Sequence, residues 1–92
     1  STIKLIEELK SEDVKIWSIE QVERAQKLND IEKIDSKLKH AIVFGNEIKG
    51  VDQKIIDISE NIIEIDQYGT KHSLNVSVAA GIVIWKFYNS LS

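Results

Sequence analysis

Two stretches of the sequence combine glycines with polar side chains in a way that could support chemistry. The first is Phe-Gly-Asn-Glu-Ile-Lys-Gly-Val at 44–51, where an apolar run stops at Gly45 and a second glycine, Gly50, closes the turn. Glycines at the carboxyl end of a parallel strand allow the backbone to approach a ligand closely. An ordinary strand-to-helix turn is the alternative. The glycine spacing matches neither a Walker loop nor a dinucleotide fingerprint, so a phosphate cradle is not indicated.

The second stretch covers 63–80, where an isoleucine-rich run meets a dense polar loop and then a segment of small residues. Its side chains at Ser73, Asn75 and Ser77 have an ordinary explanation, because each could cap the free N–H groups at the start of a helix. Gly81 lies in the apolar segment that follows and destabilises a helix by roughly 1 kcal/mol relative to Ala. A close contact with another backbone would explain its presence.

Composition limits the chemistry that these stretches can support. The chain has 92 residues, enough for one domain, and no Cys, which excludes a thiolate nucleophile and fits a reducing, cytoplasmic location. His40, His72 and the scattered carboxylates show no metal-ligand spacing, so no metal is expected. The formal net charge of −3 argues against a strong electrostatic footprint for nucleic acid. No apolar run is long enough to span a bilayer, so no membrane partner is expected.

Alternating helices and strands must position the two stretches. Hydrophobic spacing predicts helices near 3–9, 52–59 and 75–91 and strands at 13–19, 40–44 and 61–65. Asp52 is the expected N-cap of the second helix, and the polar segment at 20–37 is expected to be a loop with one helical turn. The continuous apolar run at 40–44 predicts a strand that is buried on both faces. This order predicts an α/β fold, with a parallel sheet flanked by helices, in a single unit over 1–92.

The two stretches resemble, nearly residue for residue, the second and third motifs of the SpoU (TrmH) family of RNA ribose 2′-O-methyltransferases, in the SPOUT superfamily. The resemblance is strong over 41–85 and weaker over 1–40, where helix, strand and loop follow in the expected order. It implies a C-terminal deep trefoil knot, which is a rare exception among folds, and a pocket for S-adenosylmethionine. The implied substrate is a ribose 2′-hydroxyl in tRNA or rRNA. The implied assembly is a homodimer through the helix at 75–91, and the alternative is that sequence upstream of Ser1 covers this apolar face.

Site residues are implied by the positions that match these motifs. The implied cofactor contacts, made largely by backbone groups, are Gly45, Ile65 and Leu74. The implied catalytic residues, which match polar positions near the methyl donor and the incoming ribose, are Glu47, Ser73 and Asn75.

The sequence departs from the family pattern at two positions. Its single Arg, Arg24, follows the first strand, where the family's first-motif Arg does not belong, so we interpret it as a solvated surface residue. Asp66 stands where the family pattern has Pro. The first strand and first motif of the family's domain are therefore expected upstream of Ser1. Residues 1–92 would then be the C-terminal part of a methyltransferase domain. The alternatives are a non-catalytic knotted module that binds cofactor or RNA, and a plain α/β domain with an accidental match.

Overall fold

The computed structural model describes residues 1–45, 50–65 and 76–92. The elements follow one another as α1 (Thr2–Ser11), β1 (Lys15–Ile19), β2 (Gln26–Lys27), a 3₁₀ turn (Leu28–Asp30), β3 (His40–Phe44), α2 (Gln53–Ile58), β4 (Asn61–Glu64) and α3 (Val76–Ser90). Every predicted helix and strand is present, with bounds close to those expected. The short strand β2 is an addition that the sequence did not indicate.

The described strands form one parallel sheet in the order β2-β4-β1-β3. This confirms the predicted α/β class. The strand at 40–44 packs on both faces, as expected, with Ala41 and Val43 against the core of α1 and α2 and Ile42 and Phe44 against the core under α3. Its residues are half-buried and not fully buried, because β3 is the last strand at one side of this sheet. An apolar run indicates that a strand packs well, but it does not indicate whether a neighbouring strand is hydrogen-bonded along one of its edges or along both.

The sheet lies between two layers, because successive side chains of a strand point to opposite faces. On one face, Ile16 of β1 packs in a core with residues of α1 and α2, including Ile6 and Ile55. On the other face, Trp17 packs with α3, and its ring meets the Phe87 ring edge-on at a centroid distance of 4.9 Å. Both layers converge on β1, so this strand is the centre of the fold.

The polar segment between β1 and β3 is anchored more firmly than its composition suggests. Leu28, Ile31 and Ile34 are buried in the core under α3. The backbone of Ile34 also pairs with the end of the chain, since its N–H donates to the Ser90 carbonyl at 2.8 Å and its carbonyl accepts from Ser92 at 3.0 Å. The predicted helical turn is present, and tertiary contacts hold the segment in place.

Helix α3 is buried along one side and open along the other. Ala79, Val83 and Phe87 face the core. Apolar and aromatic side chains line the opposite side, with exposed fractions of 52% for Val78, 39% for Ile82, 57% for Ile84, 68% for Trp85, 75% for Tyr88 and 44% for Leu91. An added Cβ at Gly81 would meet nothing within 4 Å, so no described backbone passes close to this glycine. None of the described helices is long and apolar enough to cross a membrane.

Candidate functional site

The carboxyl ends of three parallel strands bring the candidate site together. Ile19 at the end of β1 is in register with Phe44 of β3 and with Ile63 of β4. The residues that follow these strands, Gly45 and Ile65 among them, therefore line one edge of the sheet. Two interstrand spacings separate β3 from β4, which places these two backbones about 10 Å apart. Ligands of open parallel sheets bind outside this edge.

Gly45 is a glycine because the end of its own loop occupies the space of a side chain. An added Cβ would overlap the carbonyl carbon of Gly50 and the nitrogen of Val51, and would lie 2.7 Å from the Gly50 Cα. The two ends of the 45–50 loop are therefore closed against each other. Gly50 itself has a φ of +70°, in the left-handed region that favours glycine. The sequence pattern of two bracketing glycines thus has a direct backbone cause.

Helix α2 begins directly after this loop, has a capped first turn, and is joined to the sheet by a polar contact after its last turn. The Asp52 carboxylate caps its first turn by accepting from the Lys54 N–H at 2.9 Å, as predicted. At the other end, the buried Ser59 hydroxyl contacts the Ser18 hydroxyl of β1 at 2.6 Å and donates to the Ile55 carbonyl at 2.7 Å. The C-terminal end of α2 is therefore held against β1.

The start of β1, opposite the site, depends on the Glu60 side chain. Its Oε2 accepts a hydrogen bond from the Ile16 N–H at 2.6 Å. Residue 61 of β4 pairs with Trp17, so β4 begins one residue too late to satisfy this donor. Lys10 of α1 forms an ion pair with Glu60 at 3.8 Å and also donates to the Ile58 carbonyl. This cluster joins α1, β1 and the turn before β4.

A cross-strand ion pair lies next to Ile65, between β4 and the outer strand β2. Lys27 of β2 is in register with Glu64 of β4, and their charged groups approach to 3.3 Å. The Lys27 side chain is 49% exposed, so solvent screens the pair and it adds about 0.2–1 kcal/mol at most.

Arg24 is exposed, as expected of a surface residue, but its guanidinium is not free. It donates a hydrogen bond to the Ile56 carbonyl near the end of α2. That carbonyl also accepts from the Ser59 N–H, so Arg24 helps to satisfy the C-terminus of the helix. The structure therefore gives Arg24 a structural contact.

His40 has a structural role at the start of β3, at the end of the strand that lies away from the site. Its Nδ1 lies 3.1 Å from the Trp17 Nε1, an obligatory donor, and its Nε2 lies 2.8 Å from the Asp35 carbonyl. These partners define a neutral ring that accepts at Nδ1 and donates at Nε2. His40 is thus the polar first residue of β3.

The remaining predicted site residues, Glu47, Ser73, Leu74 and Asn75, lie outside the described residues, as do Asp66 and His72. Of the six predicted site residues, the structure thus places Gly45 and Ile65, both at the same edge of the sheet. Within 1–45, 50–65 and 76–92, no group of three or more His, Asp or Glu side chains could hold a metal ion.

Sequence reasoning did not single out Glu20, which follows the central strand at this edge. An added Cβ at Gly50 would lie 2.6 Å from the Glu20 Oε1 and 3.0 Å from its Oε2, so the carboxylate lies directly against the Gly50 Cα. The signal that could have found it is an acidic residue directly after an apolar strand, at the edge where ligands bind.

Curated proteins similar to this chain include two named RNA 2′-O-methyltransferases. The chain is 41% identical over 54 residues to a tRNA (guanosine(18)-2′-O)-methyltransferase of Aquifex aeolicus, which covers 59% of this chain and 26% of that protein. It is 31% identical over 80 residues to the 23S rRNA (guanosine(2553)-2′-O)-methyltransferase RlmP of Bacillus subtilis, which covers 87% of this chain and 31% of the relative. The chain therefore spans about a quarter to a third of the length of these relatives.

A solved structure has the same fold. The TrmH/SpoU tRNA modifying enzyme of A. aeolicus superposes with a TM-score of 0.79 at 28% sequence identity, over 94% of this chain and 42% of that one. The model of the SpoU rRNA Methylase family matches residues 1–85, which is nearly the whole sequence. The chain, with its parallel sheet and its glycine-bracketed loop at the carboxyl edge, belongs to the SpoU rRNA Methylase family.

Proposed function

We propose that this chain forms part of an S-adenosylmethionine-dependent RNA methyltransferase that modifies a ribose 2′-hydroxyl of tRNA or rRNA. The observation that carries the proposal is the match of residues 1–85 to the SpoU rRNA Methylase family. The named relatives that methylate guanosine 2′-hydroxyls in tRNA and in 23S rRNA give the substrate class. The closed glycine loop at the carboxyl edge of the sheet supports a ligand site at this position.

The proposed cofactor contacts are Gly45, Ile65 and Leu74. Gly45 and Ile65 follow β3 and β4, whose carboxyl ends lie at the same edge of the sheet on either side of β1. Glycine at 45 lets the backbone of Gly50 and Val51 approach closely at this edge. Leu74 is assigned from its motif position alone.

The proposed reaction is an in-line displacement at the methyl group. The ribose 2′-oxygen forms a bond to the methyl carbon, the bond from that carbon to the sulfonium sulfur breaks with its electron pair going to sulfur, and the hydroxyl proton is released to solvent. The neutral thioether is a good leaving group, so positioning of the two reactants provides much of the acceleration. Glu47, Ser73 and Asn75 are proposed to orient the donor and the ribose. Arg24 is not proposed as the group that assists proton removal, because its guanidinium is engaged with the Ile56 carbonyl.

Two further features are proposed from membership of the family. The first is that the C-terminal part of the chain forms a deep trefoil knot around the cofactor pocket. The second is a homodimer through the open face of α3, which we define as Val78, Ile82, Ile84, Trp85, Tyr88 and Leu91. This face is supported by its exposed apolar and aromatic side chains, since soluble monomers rarely leave such a contiguous patch in contact with water.

The function is tested on the full-length protein that contains this chain. Calorimetric titration with S-adenosylmethionine and with its demethylated product is expected to show saturable binding at about one site per chain. Incubation with radiolabelled methyl donor and unmodified tRNA or rRNA is expected to label a ribose 2′-oxygen. Binding of the donor without labelling of any RNA would favour the non-catalytic module, and absence of binding by the folded protein would contradict the proposal.

Asn75 provides a sharper test of the catalytic assignment. Asn75→Ala is expected to reduce turnover by about 100-fold or more, because a misplaced reactant loses much of the benefit of orientation, with a smaller effect on the melting temperature. Asn29→Ala, at an exposed position in the 3₁₀ turn, is the matched control and should leave turnover unchanged. Unchanged turnover together with a large fall in melting temperature would show that Asn75 only caps the helix.

A further inference from the structure

Glu20 occupies the centre of the candidate site edge. Its N–H donates to the Ile63 carbonyl at 3.0 Å, so its backbone continues the central strand β1 by one residue. The register of Ile19 with Phe44 places the next pair, Glu20 and Gly45, side by side. Glu20 thus lies between the ends of β3 and β4, where a ligand that touches both strands must pass over it.

The Glu20 carboxylate lies directly against Gly50. Both carboxylate oxygens lie within 3.0 Å of the place where a Cβ at Gly50 would be, and Gly50 also packs against Gly45. Gly50 is therefore held between the backbone of Gly45 and the carboxylate of Glu20. The three residues are contiguous at the carboxyl edge, where both glycines are half-buried and Glu20 supplies the charge.

The Glu20 carboxylate has acceptor capacity to offer a ligand. The ion pairs of the described residues join Lys10 to Glu60 and Lys27 to Glu64, and no described side chain donates a hydrogen bond to Glu20. The residue is only half-exposed, so its carboxylate lies at the sheet edge and does not extend freely into solvent. An ionised carboxylate only accepts hydrogen bonds, and its two oxygens can accept from two adjacent donors.

We propose that Glu20 binds the ribose hydroxyls of the nucleoside part of the methyl donor, with its two carboxylate oxygens accepting from the 2′- and 3′-hydroxyls. The proposal rests on the proposed function and adds a binding residue to it. A vicinal diol presents two donors on adjacent carbons, which matches the two acceptors of one carboxylate. An acidic residue at the edge of a parallel sheet accepts from nucleoside hydroxyls in dinucleotide-binding folds by the same chemistry.

The test removes the hydroxyls and the carboxylate separately and together. Adenosine and 2′,3′-dideoxyadenosine are titrated as competitors of radiolabelled S-adenosylmethionine on the full-length protein. In the wild type, the dideoxy nucleoside is expected to bind about tenfold or more weakly, as expected for loss of hydrogen bonds to a charged group. In Glu20→Ala, the two nucleosides are expected to bind equally. Glu23→Ala, a nearby exposed glutamate, is the matched control and should keep the wild-type preference.

Each outcome separates binding from loop support. If Glu20→Ala weakens both nucleosides by the same factor and keeps the preference for hydroxyls, Glu20 acts only by supporting Gly50 and the inference is overturned. Glu20→Gln keeps the shape with one acceptor fewer, so an intermediate preference supports the inference. If the wild type binds the methyl donor but does not distinguish the nucleosides, the inference alone fails. If the wild type binds neither donor nor nucleoside, the proposed function fails with it.

Discussion

Individual glycines in this chain have opposite environments, which makes their substitutions informative. Gly45 faces the backbone of Gly50 and Val51, whereas an added Cβ at Gly81 would meet nothing within 4 Å. At Gly45 the neighbouring atoms are backbone atoms, so the clash of an added methyl group cannot be relieved by rotation of a side chain. Gly81 is at an open helical position.

Gly45→Ala is expected to lower the free energy of unfolding by about 1–3 kcal/mol and to weaken methyl-donor binding, because the added methyl must separate the two ends of the loop. Gly81→Ala, the matched control, should raise that free energy by about 0.5–1 kcal/mol through helix propensity. Urea denaturation of both variants, in a Trp85→Arg background that prevents association through α3, measures the difference. Equal changes in the two variants would show that the 45–50 loop is not closed as described.

Glu60 gives a second prediction at the residue scale. Glu60→Ala is expected to lower the free energy of unfolding by about 1–3 kcal/mol, because the Ile16 N–H of the central strand loses its acceptor. Glu60→Gln keeps an acceptor oxygen and should have a smaller effect. Glu7→Ala, at an exposed position of α1, is the control and should change the midpoint of urea unfolding very little. A similar loss in the Gln and Ala variants would indicate that the charge pair with Lys10 dominates instead.

At the scale of elements, the segment between β1 and β3 shows where sequence interpretation was incomplete. Its many polar residues favoured a loop, and a helical turn was correctly predicted. The buried side chains at Leu28, Ile31 and Ile34 were not recognised as a core-forming set. Three apolar residues spaced by three give a weak periodic signal when polar residues surround them, and their burial depends on α3, which lies more than 40 residues away.

Ile34→Ala tests whether this segment belongs to the core. Ile34 is 1% exposed, so truncation is expected to lower the free energy of unfolding by about 2–5 kcal/mol through lost burial and a residual cavity. Leu38→Ala, at a position that is 39% exposed in the same segment, should cost less than about 1 kcal/mol. Chemical denaturation gives both values. Equally small effects would mean that the segment is a loop without a core role.

At the scale of the whole molecule, no contact within a single chain covers the apolar side chains on the open face of α3 in the part of the chain that the structure describes. Trp85 and Tyr88 are 68% and 75% exposed, although aromatic side chains are among those that gain most from burial. The proposed homodimer accounts for this face by covering it with a second copy.

Trp85→Arg tests the homodimer. The wild-type protein is expected to have the mass of a dimer by light scattering, and Trp85→Arg is expected to shift it to the mass of a monomer while the circular dichroism spectrum is retained. The physical reason is that a charged group in the centre of an apolar interface loses its hydration. Lys54→Ala, at an exposed position of α2, is the control. A wild-type monomer, or a dimer that survives Trp85→Arg, would contradict an interface on this face.

The sequence by itself determined the order of elements, the parallel α/β class and the family. Apolar periodicity, the Asp52 cap and the glycines at 45 and 50 are local signals, and each has a local physical cause that the structure confirms. Only the tertiary structure decided that β3 is an edge strand, that residues 28–34 enter the core, and that Glu20 meets Gly50. These features depend on contacts between residues that are distant in the chain. Such contacts produce no local periodicity or motif, so the sequence alone does not predict them.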